Sequence, residues 1–429
     1  MSEQNTTSRG MSHVRWSVCA MLFAATSINY MDRQVIAILK PTLEQSIGMS
    51  DVGFGYIVAT FQVSYALGLL LMGRLVDRIG TRIGYMIVMA IWSLAAMGHS
   101  LASTVTQFAM ARFALGIGES GNFPTAIKTT AEWFPQSERS LATGIFNSGS
   151  NLGAILAPIL IPWVTLRWGW HAAFLATGAF SASWILLWFF NYRKPSVHPS
   201  ISDEELDWIG REETRTEVVA SITWARLIRL RQTWAFTLAK FLTDPIWWFY
   251  LFWMPDFFSK HYGLDLAHLG LPLILIYNAS AVGSIGGGWL PVPFIRMGIA
   301  PGRARIVAMS LCAVAVVPVF TITAIHSEWL AVAILSVAAG AHQGWSANLY
   351  TTTSDMFPRH AVGSVNGIGG MAGSLGGVLL AYYAGHILQL THSYTSLFVI
   401  ASSAYLIALF LLTTLAPGLT PARITGAAQ

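Results

Sequence analysis

Apolar runs of membrane-spanning length recur along the chain, each closed by a short polar turn. A helix that crosses a bilayer needs about 20 mostly apolar residues. Twelve stretches meet that length: residues 16–39, 54–72, 84–101, 105–126, 141–164, 172–190, 233–258, 269–290, 304–325, 329–349, 362–388 and 394–416. The fifth and eleventh are rich in Gly and Ser and weakly apolar, which leaves ten as the fallback count. The first fifteen residues are polar and lead into a run too long for the apolar core of a signal peptide, so a cleaved leader is not expected.

Composition agrees with the pattern. Of 429 residues, 54% are hydrophobic and 10% charged, against roughly 25% charged in an ordinary soluble domain. Mean hydropathy is +0.55. A soluble protein of this size would need far more polar surface to cover its core, which excludes a soluble enzyme, a disordered chain and a nucleic-acid binder. Cys19 and Cys312 both lie in apolar runs and suggest neither a disulfide framework nor a metal site. No cofactor is expected. The expected class is an all-α membrane protein.

With an even number of spans both termini share a side. That side collects Arg9, Arg15, Arg74, Arg78, Arg82, Lys128, Arg139, Arg193, Lys194, Arg211, Arg215, Arg226, Arg229, Arg231, Arg296, Arg303, Arg305, Arg359 and Arg423. The opposite loops hold Lys40, Arg167 and Lys260. The positive-inside rule therefore puts both termini in the cytoplasm. The basic residues are topology signals.

Between residues 192 and 232 the composition shifts to charged residues interspersed with Leu206, Trp208 and Ile209, a partly helical linker along the membrane surface. The expected organisation is a six-helix bundle over 1–191, the linker over 192–232 and a second six-helix bundle over 233–429. The bundles look related. The segment starting at Thr129 lies without gaps on the segment starting at Thr352, pairing Phe134 with Phe357, Pro135 with Pro358, Gly144 with Gly367 and Gly153 with Gly376. Carried upstream, the same offset pairs Glu119 with His342. Repeated halves with a site between them are a transporter architecture.

Ionisable groups inside spans are costly and mark pathways. Asp32 and Arg33 lie late in the first span, Arg112 and Glu119 in the fourth, Lys240 and Asp244 early in the seventh, and His342 in the tenth. Arg112 and Glu119 are two helical turns apart, about 10 Å along the axis, too far to pair directly. Each is either a pathway group or half of a structural ion pair. Arg33 offers a two-pronged receptor for a carboxylate, with Asp32 a second protonatable group beside it. Lys240 and Asp244 are spaced for an intrahelical pair and read as structural. The aromatic stripe Trp247, Trp248, Phe249, Tyr250, Phe252 and Trp253 reads as lipid-facing or interfacial, with one ring free to stack on a sugar.

The loop Gly73-Arg74-Leu75-Val76-Asp77-Arg78-Ile79-Gly80-Thr81-Arg82 resembles the G-x-L-x-D-R-x-G-x-R loop of the major facilitator superfamily. That resemblance implies a major facilitator fold, twelve transmembrane helices in two six-helix pseudo-repeats. It also implies a gating role for Gly73, Asp77 and Arg78. The matching loop of the second half has Val292 in place of the Asp, so its latch is degenerate.

Tyr30-x-Asp32-Arg33 and Arg112-x6-Glu119, followed by Phe123-Pro124-Thr125 and Trp133-Phe134-Pro135, resemble the anion:cation symporters, and the wider pattern is similar to the hexuronate transporters among them. The resemblance implies substrate binding by Arg33 and proton coupling by Asp32 and Glu119, with Arg112 tuning Glu119. Tyr65 and Asn366 match substrate-contacting positions. Ser150 stands where aldonate transporters carry Gln, which weakens any carry-over of aldonate contacts.

Tyr30, Asn147, Ser150, Asn151, Gln343, Asn348 and Tyr350 are further candidates to line a sugar site, or to bridge helices. His342 is a proton relay, a hydrogen-bond donor to substrate, or a packed histidine. No Walker P-loop, H-E-x-x-H or G-x-S-x-G motif is present, so neither ATP-driven transport nor an enzyme is expected.

The expectation is a monomeric, proton-coupled symporter of the bacterial inner membrane, importing a hexuronate (galacturonate or glucuronate) by alternating access. The alternative is a proton symporter for another organic anion of aldonate, tartrate, phthalate or nicotinate type; an exporter is disfavoured. The expected partners are the small organic anion, protons and the lipid bilayer.

Overall fold

The computed structural model describes residues 12–210 and 224–422. Fifteen α-helices and no strand occur among the described residues. The first half comprises α1 (Val14–Ile47), α2 (Asp51–Ile79), α3 (Thr81–Gly98), α4 (Val105–Ser120), α5 (Asn122–Trp133) and α6 (Gln136–Asn191). The linker contributes α7 (Asp203–Gly210) and α8 (Trp224–Leu227). The second half comprises α9 (Arg231–Tyr262), α10 (Gly270–Trp289), α11 (Pro291–Arg296), α12 (Pro301–Val316), α13 (Glu328–Met356), α14 (Arg359–Thr391) and α15 (Thr395–Leu415).

The twelve expected crossings are all helical, with three differences in their bounds, one being that the ninth is α12 continued by a 3-10 helix over Val317–Ala324. The fourth is two helices, α4 and α5, meeting at Gly121. The fifth and sixth run together as α6, broken at Gly169, whose φ of 81° a residue with a side chain would resist. Seven stretches are long and apolar enough to cross a membrane by composition alone, and one of them, Leu141–Asn191, holds two crossings. The crossings that fall short are the first, fourth, seventh and tenth. These are the helices that carry Asp32, Arg33, Arg112, Glu119, Lys240, Asp244 and His342. Helices of this polarity are stable in a bilayer only when they face one another rather than lipid.

Glycines set the closest helix contacts. A methyl group on Gly153 of α6 would stand 2.1 Å from the Ser27 carbonyl of α1. One on Gly376 of α14 would stand 2.3 Å from the Phe241 carbonyl of α9. These two glycines coincide in the internal repeat, and each lets the same pair of helices within its half approach backbone to backbone.

The halves meet through α2 on α14, α6 on α10 and α1 on α9. Contact is tight at the end where α1 turns into α2: a methyl on Gly55 would lie 2.7 Å from the Ala381 carbonyl and 3.1 Å from the Cα of Gly385. Toward the opposite end the helices part, and a methyl on Gly73, Gly363 or Gly367 would meet no described atom within 4 Å.

The linker is clamped to the first half. Glu205 of α7 accepts from Ser12 Oγ at 2.5 Å, from the Val14 and Arg15 amides at 3.0 and 3.2 Å, and from Arg15 Nη1 at 2.9 Å. Arg15 Nε also reaches Glu138 of α6 at 2.9 Å. Burial alone would raise the Glu205 carboxyl, but these donors outweigh it and hold the group below the usual glutamate range. Residues 211–223, including Arg211, Glu212, Glu213 and Arg215, lie outside the described residues, as do Arg9 and Arg423.

Candidate functional site

Arg33 of α1 and Glu119 of α4 form a buried ion pair, with Nε 2.5 Å from Oε2 and side chains 3% and 0% exposed. Aromatic rings surround the guanidinium. Its Cζ lies 4.6 Å from the Tyr65 ring centroid, 4.8 Å from Tyr30, and 5.5 Å from both Phe61 and Trp248. Rings at such distances stabilise a cation through their negative faces. Trp248 belongs to α9, so the cage is built from both halves. The second carboxylate oxygen of Glu119, Oε1, has no hydrogen-bond partner among the described residues.

Arg112 does not pair with Glu119. Its Nη2 donates to the Arg33 carbonyl at 2.9 Å, and its guanidinium lies over Phe61 at 5.4 Å. Asp32 points away from its neighbour into the first bundle. Its Oδ2 accepts from Trp92 Nε1 of α3 and from Ser181 Oγ of α6, both at 2.6 Å. The helical twist of about 100° per residue separates the two side chains.

In the second half, Lys240 pairs with Asp244 at 2.7 Å and donates to the Tyr350 hydroxyl at 2.8 Å. His342 stacks on Trp247, with ring centroids 5.3 Å apart, and its Nδ1 lies 2.6 Å from the Tyr405 hydroxyl. Asn348 donates to the Gly287 and Gly344 carbonyls at 2.7 and 2.9 Å, bridging α10 and α13. Ser150 turns its hydroxyl back onto the Asn147 carbonyl at 2.7 Å. Asn147 is exposed, and Asn151, Gln343 and Asn366 are half-buried. The geometry thus brings Tyr30, Arg33, Tyr65 and Glu119 into one cluster, with Lys240–Tyr350 and His342–Tyr405 as further contacts in the second half.

The aromatic stripe of α9 is not lipid-facing. Phe249, Tyr250, Phe252 and Trp253 are 1–2% exposed, and Trp247 and Trp248 are turned onto His342 and Arg33. Trp248, Phe252 and Trp253 meet Arg33, Phe61 and Phe54 of the first half, while Phe249 packs on Tyr394 and Phe398 within the second, so burial against protein replaces burial in lipid.

Lys40 and Lys260, expected only as outer-loop cations, meet here with Asp256, which the sequence pattern does not single out. At the closed end Lys40 Nζ lies 2.8 Å from Glu44, 2.6 Å from Asp51 and 2.6 Å from Asp256. Lys260 Nζ lies 3.0, 2.9 and 3.3 Å from the same three carboxylates. Tyr394 donates to Asp256. The carboxylate oxygens lie within 4.8 Å of one another, a spacing that suits a cation; two ammonium groups serve here. Asp256 falls inside an expected span, and that placement was the signal available to find it.

Asp77 pairs with Lys128 of α5 at 2.8 Å within the first half, its side chain 73% exposed. Gly73 is half-buried and Arg78 exposed. Across the repeat, Arg305 takes Asp355 at 2.5 Å, so the second half carries an ion pair at this end although its loop lacks the Asp.

A seam of buried charges between two pseudo-repeated helical bundles defines a polytopic membrane carrier. The Major Facilitator Superfamily pattern matches residues 22–381, and the chain belongs to that superfamily of transporters. It is a transporter, not an enzyme. It is 32% identical over 381 residues to the hexuronate transporter of Escherichia coli K12, covering 88% of each chain. It is also 32% identical over 332 residues to the galacturonate transporter of Dickeya chrysanthemi, covering 76% of this chain and 96% of that one. Among solved structures it resembles the E. coli xylose transporter in its inward-open conformation, with a TM-score of 0.72, 14% identity and coverage of 96% and 98%. That likeness concerns the fold.

Proposed function

We propose that the protein imports a hexuronate, galacturonate or glucuronate, together with protons by alternating access. The observation that carries this reading is the Arg33–Glu119 pair inside its aromatic cage. A guanidinium held by an internal carboxylate is a receptor for an external one, and the two compete for the same donors. Protonating Glu119 removes its charge and releases Arg33 to the substrate; losing the proton draws Arg33 back and expels the anion. Anion binding and proton binding are linked in this way without a second anion receptor.

In this reading the chain lies in the bacterial inner membrane as a monomer, with both termini cytoplasmic. The closed end is then the outer one, latched by Lys40, Lys260 and their three carboxylates, and the site faces inward. Asp32 is a second proton carrier, with Arg112 tuning Glu119. Tyr30, Tyr65, Asn147, Ser150, Asn151, His342, Gln343, Asn348, Tyr350 and Asn366 remain our candidates for substrate contact. Gly73, Asp77 and Arg78 act as the inner gate when the helices close there. The names of two relatives support the substrate class: a hexuronate transporter and a galacturonate transporter. Another organic anion is the second reading, supported by the D-galactonate transporter of E. coli O6:H1 at 27% identity.

The test is proton flux. Adding galacturonate to proteoliposomes holding a pH-sensitive dye acidifies the lumen if the two move together. Galacturonate entry with no acidification rules out proton coupling.

A further inference from the structure

Gln62 of α2 is fully buried, and neither oxygen nor nitrogen of its amide has a hydrogen-bond partner among the described residues. A buried amide without partners is costly, because it has given up water and gained nothing in return. Such groups call for an explanation.

The position of Gln62 supplies one. It lies one helical turn from Tyr65, and residues three apart share a helix face. Its neighbour Phe61 and Tyr65 both lie against the Arg33 guanidinium. Across the seam, a methyl group on Gly377 of α14 would stand 3.4 Å from Gln62 Cδ and 3.4 Å from Trp248 Cδ1, and Trp248 is itself part of the Arg33 cage. The orphaned amide therefore sits where α2, α9 and α14 meet, beside the ion pair and toward the closed end. Parting α2 from α14 at that end uncovers it together with the cage.

We propose that Gln62 reads a hydroxyl of the substrate whose carboxylate Arg33 holds. A primary amide offers both a donor and an acceptor, and a sugar hydroxyl needs both. An amide left unpaired in the inward-facing form gains its partners when substrate binds, which favours a polyhydroxylated acid over a bare organic anion. The proposal rests on the sugar-acid reading above and adds to it a residue that fixes which hydroxyl is recognised.

The test is a cycle of affinities measured by calorimetry on the full purified chain, with galacturonate and its singly deoxygenated analogues, for wild type, Gln62→Met and Gln62→Leu. We expect galacturonate to bind at least ten-fold more weakly to both variants, with the thermal midpoint of the unliganded protein unchanged or higher because a buried orphan has gone. One deoxy analogue loses about ten-fold in the wild type and nothing further in the variants, the signature of a direct pair.

Unchanged galacturonate affinity in the variants overturns the proposal. So does a loss that accompanies a lower thermal midpoint, and so does every deoxy analogue losing the same factor in wild type and variant. A wild type that binds no hexuronate fails the underlying reading and this proposal together, and is told apart because the loss precedes any mutation.

Discussion

Glu119 Oε2 rests 2.5 Å from Arg33 Nε, so the fourth span supplies the first span's cation with the carboxylate an anionic substrate would otherwise supply. Replacing that carboxylate by an amide leaves Arg33 permanently free. Glu119→Gln is therefore expected to bind hexuronate and to exchange it in counterflow, while losing all accumulation driven by a proton gradient. Loss of counterflow as well assigns Glu119 to a structural ion pair.

Arg33 presents its donors within a ring of four aromatic side chains. Lysine keeps the charge but loses the planar fork and its stacking. Arg33→Lys should weaken hexuronate binding at least ten-fold, read by calorimetry, with the helical content unchanged by circular dichroism. Wild-type affinity in this variant takes Arg33 out of the site.

The two ion clusters at opposite ends differ in strength for a physical reason. Asp77 is largely in water, and an exposed pair contributes about 0–1 kcal/mol. Lys40 and Asp256 are both 0% exposed, and a buried pair is screened far less than one in water, although Lys40 keeps Glu44 and Asp51 when Asp256 loses its charge. Asp256→Asn should weaken closure of the outer end, raising the labelling rate of a cysteine placed at the buried Ala381, whereas Asp77→Asn, which loosens the opposite end, does not raise it. Equal labelling in the Asp256 variant and its parent contradicts the latch.

The linker clamp carries a pH dependence whose sign is fixed by Glu205. Its carboxyl is held below the usual range, so its contribution is complete above the ordinary glutamate range and is lost as pH falls through the depressed value. Limited proteolysis of the linker should accelerate in acid, and Glu205→Gln should be cut quickly at neutral pH. A linker protected equally in that variant shows that α7 docks by other contacts.

Run lengths and polar turns made the fold legible, because a bilayer imposes a minimum length on each crossing. The pairing of Gly153 with Gly376 was legible as an alignment, and its meaning, one backbone contact made twice, needed coordinates. Arg33 and Glu119 stood out because charge inside a span is rare. Their mutual contact did not, since they lie 86 residues apart on different helices. Gln62 gave no signal because glutamine is neutral, and Trp248 stood only as one ring of a stripe read as lipid-facing with a ring free to stack on a sugar, since a tryptophan-rich helix resembles a lipid-facing one until the opposing half is in place. The direction of Asp32 was hidden for the same reason, as adjacency in sequence says nothing of which bundle a side chain enters.

Accumulation against a concentration gradient separates proton-driven import from passive exchange. Labelled galacturonate is presented to proteoliposomes under an inward proton gradient, with and without a protonophore. Internal galacturonate is expected to rise above the external concentration and to collapse to equilibrium when the protonophore is added. Accumulation that survives the protonophore, or none at all from folded protein, contradicts proton-driven import.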